Sequence, residues 1–181
     1  TTTGNLIFTQ WGFNGPAVMD LSHLISTRPG TLLQLTLNLL PGEIEPRLRT
    51  LLKRKQQDAV PVRVLLGAVL PPKVPPVLLG LAGVNAEVLI NQLNEAALEN
   101  ILKQLTCISV EIQGVRGFDY AQVSTGGVPV DEVHPTSLES KQIPGLYLAG
   151  ETLDVIGPCG GFNLQFAFSS GAAAGLAAGQ H

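Results

Sequence analysis

The 181-residue sequence has only two cysteines, one methionine and one tryptophan, and 14% of its residues are charged. Cys107 and Cys159 stand far apart without C-x-x-C spacing, so neither a disulfide framework nor a zinc site is indicated, and a reducing cytoplasm is the expected setting. Long apolar runs are missing as well. The most lipophilic stretch, VPVRVLLGAVLPPKVPPVLLGLAGV (60 to 84), contains Arg63, Lys73 and five prolines. No span of ~20 uninterrupted apolar residues survives there, so the stretch reads as buried or pocket-lining and no membrane partner is expected. A one-sided charge is also lacking: 11 basic against 14 acidic residues, net −3, give no general field for a polyanion, and no nucleic-acid partner is expected.

What the chain does have is hydrophobic material, 45% of its residues, with a mean hydropathy of +0.28. That is enough for one good core or two small ones. The chain begins TTTGNLIF, without methionine, and reads as a fragment already leading into a strand at residues 5 to 9. Asn14-Gly15-Pro16 resembles a helix start with proline at the first helical position, and AVMDLSHLIS would be that helix. In TLLQLTLNLL (31 to 40) leucines alternate with polar residues, the two-residue period of a half-buried strand. From 45 to 105 the period becomes helical, with Leu48, Leu51 and Leu52 on one face and Leu98, Ile101, Leu102 and Leu105 on another after an Asn94 cap. Alternation returns in ISVEIQGV (108 to 115), and short strands are expected to continue through FDYAQVSTGGVPV. The pattern predicts that the 31 to 40 and 106 to 115 regions pair, with the helical stretch inserted between them.

The segment GLYLAGETLDVIGPCGGFNLQ (145 to 165) runs from a predicted strand through a glycine-punctuated loop into a helix over 161 to 179 that is apolar or small nearly all round. Gly171, Gly175 and Gly179 lie four apart and predict close packing of that helix on a sheet. A strand end at Gly150, an acid at 151 or 154 and a Gly-Gly pair opening a helix suit an extended, partly anionic cofactor, because free N–H groups and the helix dipole stabilise negative charge. The same residues equally suit a tight strand-to-helix turn capped by Asp154. Local pattern leaves both open.

The stretch STGGVPVDEVHPTSLESKQIPGLYLAGETLDVIGPCGGFNLQFAFSSGAAAG (124 to 175) resembles the C-terminal signature of the aminoacetone-oxidase-like (BaiN-type) NAD(P)/FAD-dependent oxidoreductases. GNLIFTQWGFNGPAVMDLS (4 to 22) is similar to the same family's lead into its insert domain, with Gln10 where histidine is frequent. The resemblance implies an α+β fold: a small β-barrel with a helical insertion, followed by a β-strand/helix segment of a split Rossmann-like FAD-binding domain. It implies barrel parts at 1–44 and 106–123, a helical subdomain at 45–105, and the return of the FAD domain at 124–181. No G-x-G-x-x-G occurs in this sequence, so the missing N-terminal FAD-binding half is the implied partner, and the chain alone is expected to be inactive and to retain no FAD.

Carried over by position, the resemblance sets Thr125, Gly126, Gly127 and Val128 beside the isoalloxazine and Gly150 and Asp154 along the ribityl and pyrophosphate side. Gly160, Gly161, Phe162 and Asn163 would present backbone N–H groups to the pyrimidine edge. FAD would carry the hydride chemistry for a small-molecule substrate, with NAD(P)H as a candidate donor; no catalytic side chain is assigned. A non-catalytic binding or scaffold module derived from a flavoprotein is the competing reading. Cys159 reads as a small turn residue before a redox thiol, and His23 and His134 as surface or capping residues before bases. RLRTLLKRK (47 to 55) reads as a solvated helix face before a phosphate site, and Trp11 as packing before a channel cover.

Overall fold

The computed structural model describes residues 1–26 and 30–180, and the chain forms two compact units: 1–31 with 114–181, and 32–113. The first unit opens with the antiparallel hairpin β1 (Ile7–Thr9) and β2 (Gly12–Asn14), in which Phe8 lies opposite Phe13. The helix expected over AVMDLSHLIS is instead two short ones, α1 (Pro16–Met19) and α2 (His23–Ser26). Ser22 explains the break, because its hydroxyl donates to the Met19 carbonyl at 2.7 Å and so competes with the helical ladder.

In the second unit β3 (Leu33–Leu37) pairs antiparallel with β4 (Ile108–Ile112), Leu33 opposite Ile112 and Leu37 opposite Ile108, as the alternation predicts. Between these strands lie α3 (Ile44–Arg54), α4 (Val62–Leu66), α5 (Val74–Leu81) and α6 (Glu95–Thr106). The Asn94 side chain accepts the Ala97 N–H at 2.8 Å and caps α6. Leu48 and Leu52 of α3 and Leu98, Ile101 and Leu105 of α6 meet in one core with Val62, Leu66 and Leu79. Each such side chain contributes about 1.5–3 kcal/mol by leaving water. The proline-rich 60 to 84 stretch thus supplies two short buried helices, and no described helix is long and apolar enough to cross a membrane. The basic run on α3 is an outer face tied to acids: Arg49 to Glu45 and Glu99, Lys53 to Glu95, Lys55 to Asp58.

The architecture is mixed α and β with small sheets. Among the described residues the strands make two two-stranded ribbons, and these do not close a barrel. The strands expected through 118 to 130 are replaced by 3-10 turns at Phe118–Tyr120 and Val130–Glu132, where Pro129 has no N–H to give a ladder. The strand expected over 143 to 151 is also absent; Tyr147 makes a single bridge to Glu139, and Gly150–Thr152 is a 3-10 turn. One bridge leaves the segment short of the repeated pairing that defines a strand.

The chain closes on α7 (Phe162–Ala178), as its composition predicts. Only Ser170 and Ala174 of this helix are buried, while Leu164, Phe168 and Leu176 are each more than three-fifths exposed. Gly171 and Gly175, expected against a sheet, are uncovered: a Cβ added at either would meet nothing within 4 Å among the described residues.

Candidate functional site

The site is built within the first unit from three pieces of chain. The 126–128 and 152–154 segments run side by side as a parallel bridge: the Val128 N–H donates to Thr152 O and the Asp154 N–H to Val128 O, both at 2.8 Å. Gly127 makes this approach possible, since a Cβ there would lie 2.5 Å from Thr152 O and 2.7 Å from the Leu153 carbonyl carbon. The two acids of the loop face back onto the same turn. Asp154 Oδ1 accepts the Gly126 N–H at 3.0 Å, and Glu151 Oε1 accepts both the N–H and the hydroxyl of Ser124.

The second contact is with α7. The Gly150 N–H donates to Ser170 Oγ at 2.9 Å, and that buried hydroxyl in turn donates to the Phe166 carbonyl at 2.6 Å. Nearer the start of α7, Asn163 grips Gly157 at both polar atoms: Asn163 Oδ1 accepts its N–H at 2.7 Å and Nδ2 donates to its carbonyl at 2.9 Å. The third piece is N-terminal. Asp20, the C-cap of α1, accepts the Cys159 N–H at 2.7 Å on Oδ1.

These contacts leave an open lip. Gly161 is the N-cap of α7 with φ 91°, a left-handed conformation that glycine adopts without strain, and no side chain caps the helix start. Among the described residues a Cβ at Gly161 or Gly126 would meet nothing within 4 Å, in contrast to Gly127. The N–H groups of Gly160, Gly161 and Phe162 have no protein acceptor among the described residues. The arrangement is therefore a row of unspent donors at a helix N-terminus, suited to an electron-rich ligand edge.

The sequence-predicted residues Gly126, Gly127, Val128, Gly150, Asp154, Gly160, Gly161, Phe162 and Asn163 fall in this connected cluster, with Thr125 exposed at its margin. Sequence reasoning missed Asp20 and Ser170. A partner 139 residues away leaves no local pattern, and a serine in a run of small residues gives no sign of its acceptor. Cys159 is kept a thiol: its hydrogen bond to Asp20, burial and the Asp20 charge all push its pKa up, which opposes a redox role. Trp11 packs on a cation, the Arg116 guanidinium lying 4.5 Å from its ring centre and 3.5 Å from that of Tyr120. Among the described residues no cluster of side chains could hold a metal ion.

Residues 18–177 match the sequence model of the HI0933-like protein Rossmann domain. Over 183 residues the chain is 34% identical to a 3-dehydro-bile acid delta(4,6)-reductase of Clostridium scindens, covering 98% of this chain and 44% of that protein. It is 36% identical over 169 residues to a ribosomal RNA dihydrouridine synthase of Escherichia coli, covering 92% of this chain and 40% of the relative. The Haemophilus influenzae protein of the same description is 29% identical over 172 residues, with 94% and 41% covered. The chain thus spans less than half the length of these curated relatives.

Proposed function

The chain belongs to the HI0933-like, BaiN-type family, and from that premise we propose that it supplies the flavin-ring side of the FAD site in a reductase. The observation that carries the reading is the open lip at Gly160, Gly161 and Phe162, where three N–H donors and a glycine with vacant space above it open α7, the helix whose Ser170 holds the Gly150 end of the loop that bridges to Val128. The residues present fit the group. The N1 and O2 atoms of an isoalloxazine are acceptors, and free N–H groups at a helix start match them and favour negative charge there. Bound FAD would supply hydride transfer. The chain's own residues hold the ring edge, keep the loop rigid through Asn163 and Asp154, and line the ring with Val128.

The pyrophosphate-binding G-x-G-x-x-G lies outside this sequence, so FAD retention requires the other half of the FAD domain. The bare apolar side of α7, with Leu164, Phe168 and Leu176 exposed, supports such a partner. The barrel expected from the resemblance would likewise be completed by strands beyond the two ribbons described. The names of the relatives suggest the substrate class: each describes saturation of a ring double bond conjugated to a carbonyl. We assign this chain the same chemistry on a small molecule in a soluble, cytoplasmic enzyme, with NAD(P)H as donor. Net −3 and the paired bases of α3 favour a small substrate over RNA.

The test is the visible spectrum of the full-length gene product and its bleaching by NADH or NADPH under anaerobic conditions. Flavin bands that bleach, with the 181-residue chain alone colourless, are expected. A colourless full-length protein that takes up no added FAD would favour the scaffold reading instead.

A further inference from the structure

Of the contacts that shape the glycine loop, one comes from the far end of the first unit. Gly157 is held by Asn163 and Pro158 has no N–H, so Cys159 carries the next donor along the loop, and Asp20 Oδ1 takes it at 2.7 Å. The next two N–H groups, of Gly160 and Gly161, remain without a protein acceptor. We propose that Asp20 is a positioning residue for the cofactor loop: by fixing the Cys159 peptide, it turns the Gly160 and Gly161 N–H groups outward to the ligand edge. The inference rests on the flavin reading above and adds a residue to it that lies outside the resemblance-assigned set.

The platform that carries Asp20 is rigid. Its own N–H donates to Pro16 O at 3.1 Å, and Pro16 begins α1 directly after Gly15. Gly15 is buried and so close to the segment leading into β1 that a Cβ there would lie 2.5 Å from Asn5 O. The Ala17 N–H also donates to Asn5 O, at 3.4 Å. A carboxylate held this firmly sets the loop peptide within a narrow range of orientations, as supporting contacts for a binding site must. His23 is the titratable side chain near the Asp20 carboxylate.

The test uses the full-length protein, with FAD affinity measured by fluorescence quenching and the melting temperature of the apoprotein measured in parallel. Asp20→Ala should weaken FAD binding by about tenfold or more, the scale of one hydrogen bond to a charged group. Asp20→Asn keeps an Oδ1 acceptor for the Cys159 N–H and should bind within about threefold of wild type, a recovery that general damage to the fold would not give. Apoprotein melting should fall only modestly in Asp20→Ala, through the lost bond to the Cys159 N–H, and less in Asp20→Asn. Asp20→Ala binding within threefold of wild type would overturn the inference, and so would equal weakening in both variants. Should Asp20→Ala fail to fold, Asp20→Ser, with a side chain too short to reach the Cys159 N–H, is read by the same criteria. Wild-type protein that takes up no FAD would overturn the flavin reading itself, and the inference with it.

Discussion

Asn163 and Gly157 form a reciprocal pair: the asparagine amide accepts the glycine N–H at 2.7 Å and donates to the glycine carbonyl at 2.9 Å. The side chain of the second residue of α7 thereby closes the loop that leads into the helix. A Cβ at Gly157 would lie 2.8 Å from Phe162 Cβ, so the loop and the helix start fit only with glycine there. Asn163→Ala removes both bonds and should destabilise the protein by about 1–3 kcal/mol, while Asn163→Asp keeps only the acceptor and should fall between. Urea denaturation midpoints of the three proteins check the order, which a purely surface role for Asn163 would erase.

Gly127 and Gly161 should respond to a side chain for different reasons. At Gly127 the added Cβ meets backbone at 2.5 Å, so Gly127→Ala should cost about 1–3 kcal/mol of stability. At Gly161 the Cβ meets nothing within 4 Å among the described residues, and Gly161→Val should cost about 1–2 kcal/mol through its positive φ. The valine should nevertheless abolish flavin retention, because its branches occupy the space assigned to the ring. A folded, fully yellow Gly161→Val full-length protein would show that this lip is not the flavin site.

Asp154→Asn retains an oxygen for the Gly126 N–H and removes a charge. FAD binding should weaken by only about 1–2 kcal/mol, with little change in melting temperature. Titration of the full-length variant with FAD gives the number, and a complete loss of binding would mean that Asp154 contacts the ligand more directly than its bond to Gly126 suggests.

Acid should loosen both units for related reasons. Hydrogen bonds from Cys159 hold Asp20 below its ordinary 3.8, and the Arg49 guanidinium holds Glu99 below its ordinary 4.5. Each folded-state pKa lies below the unfolded one, so each contribution is fully present above the ordinary value and is lost as pH falls through the folded value. Melting temperatures of the 181-residue chain, taken from neutral pH downward, should therefore drop in that acid window. Asp20→Asn and Glu99→Gln should each flatten the drop; unchanged slopes would remove these carboxylates from the account.

Leu52, fully buried in the helical unit, provides a control. Leu52→Ala should cost about 2–5 kcal/mol through lost burial and a cavity, yet leave the flavin content of the folded full-length protein unchanged. Calorimetry with flavin quantitation separates the two effects.

The sequence by itself determined the elements whose cause is local. Alternating leucines specify β3 and β4, the three-to-four spacing of Leu98, Ile101, Leu102 and Leu105 specifies α6, and Asn94 marks its start. It also determined the family, through the long motif around Gly150 and Gly161. What only the tertiary structure decided is which glycine serves which purpose. Gly127 and Gly161 look alike in sequence, but one lies against the Thr152 carbonyl and the other faces open space. The role of Asp20 is likewise invisible in the chain, because its partner is a single N–H 139 residues away. Periodicity reports how a segment meets its own neighbours, whereas a hydrogen bond between distant segments exists only once the fold has brought them together.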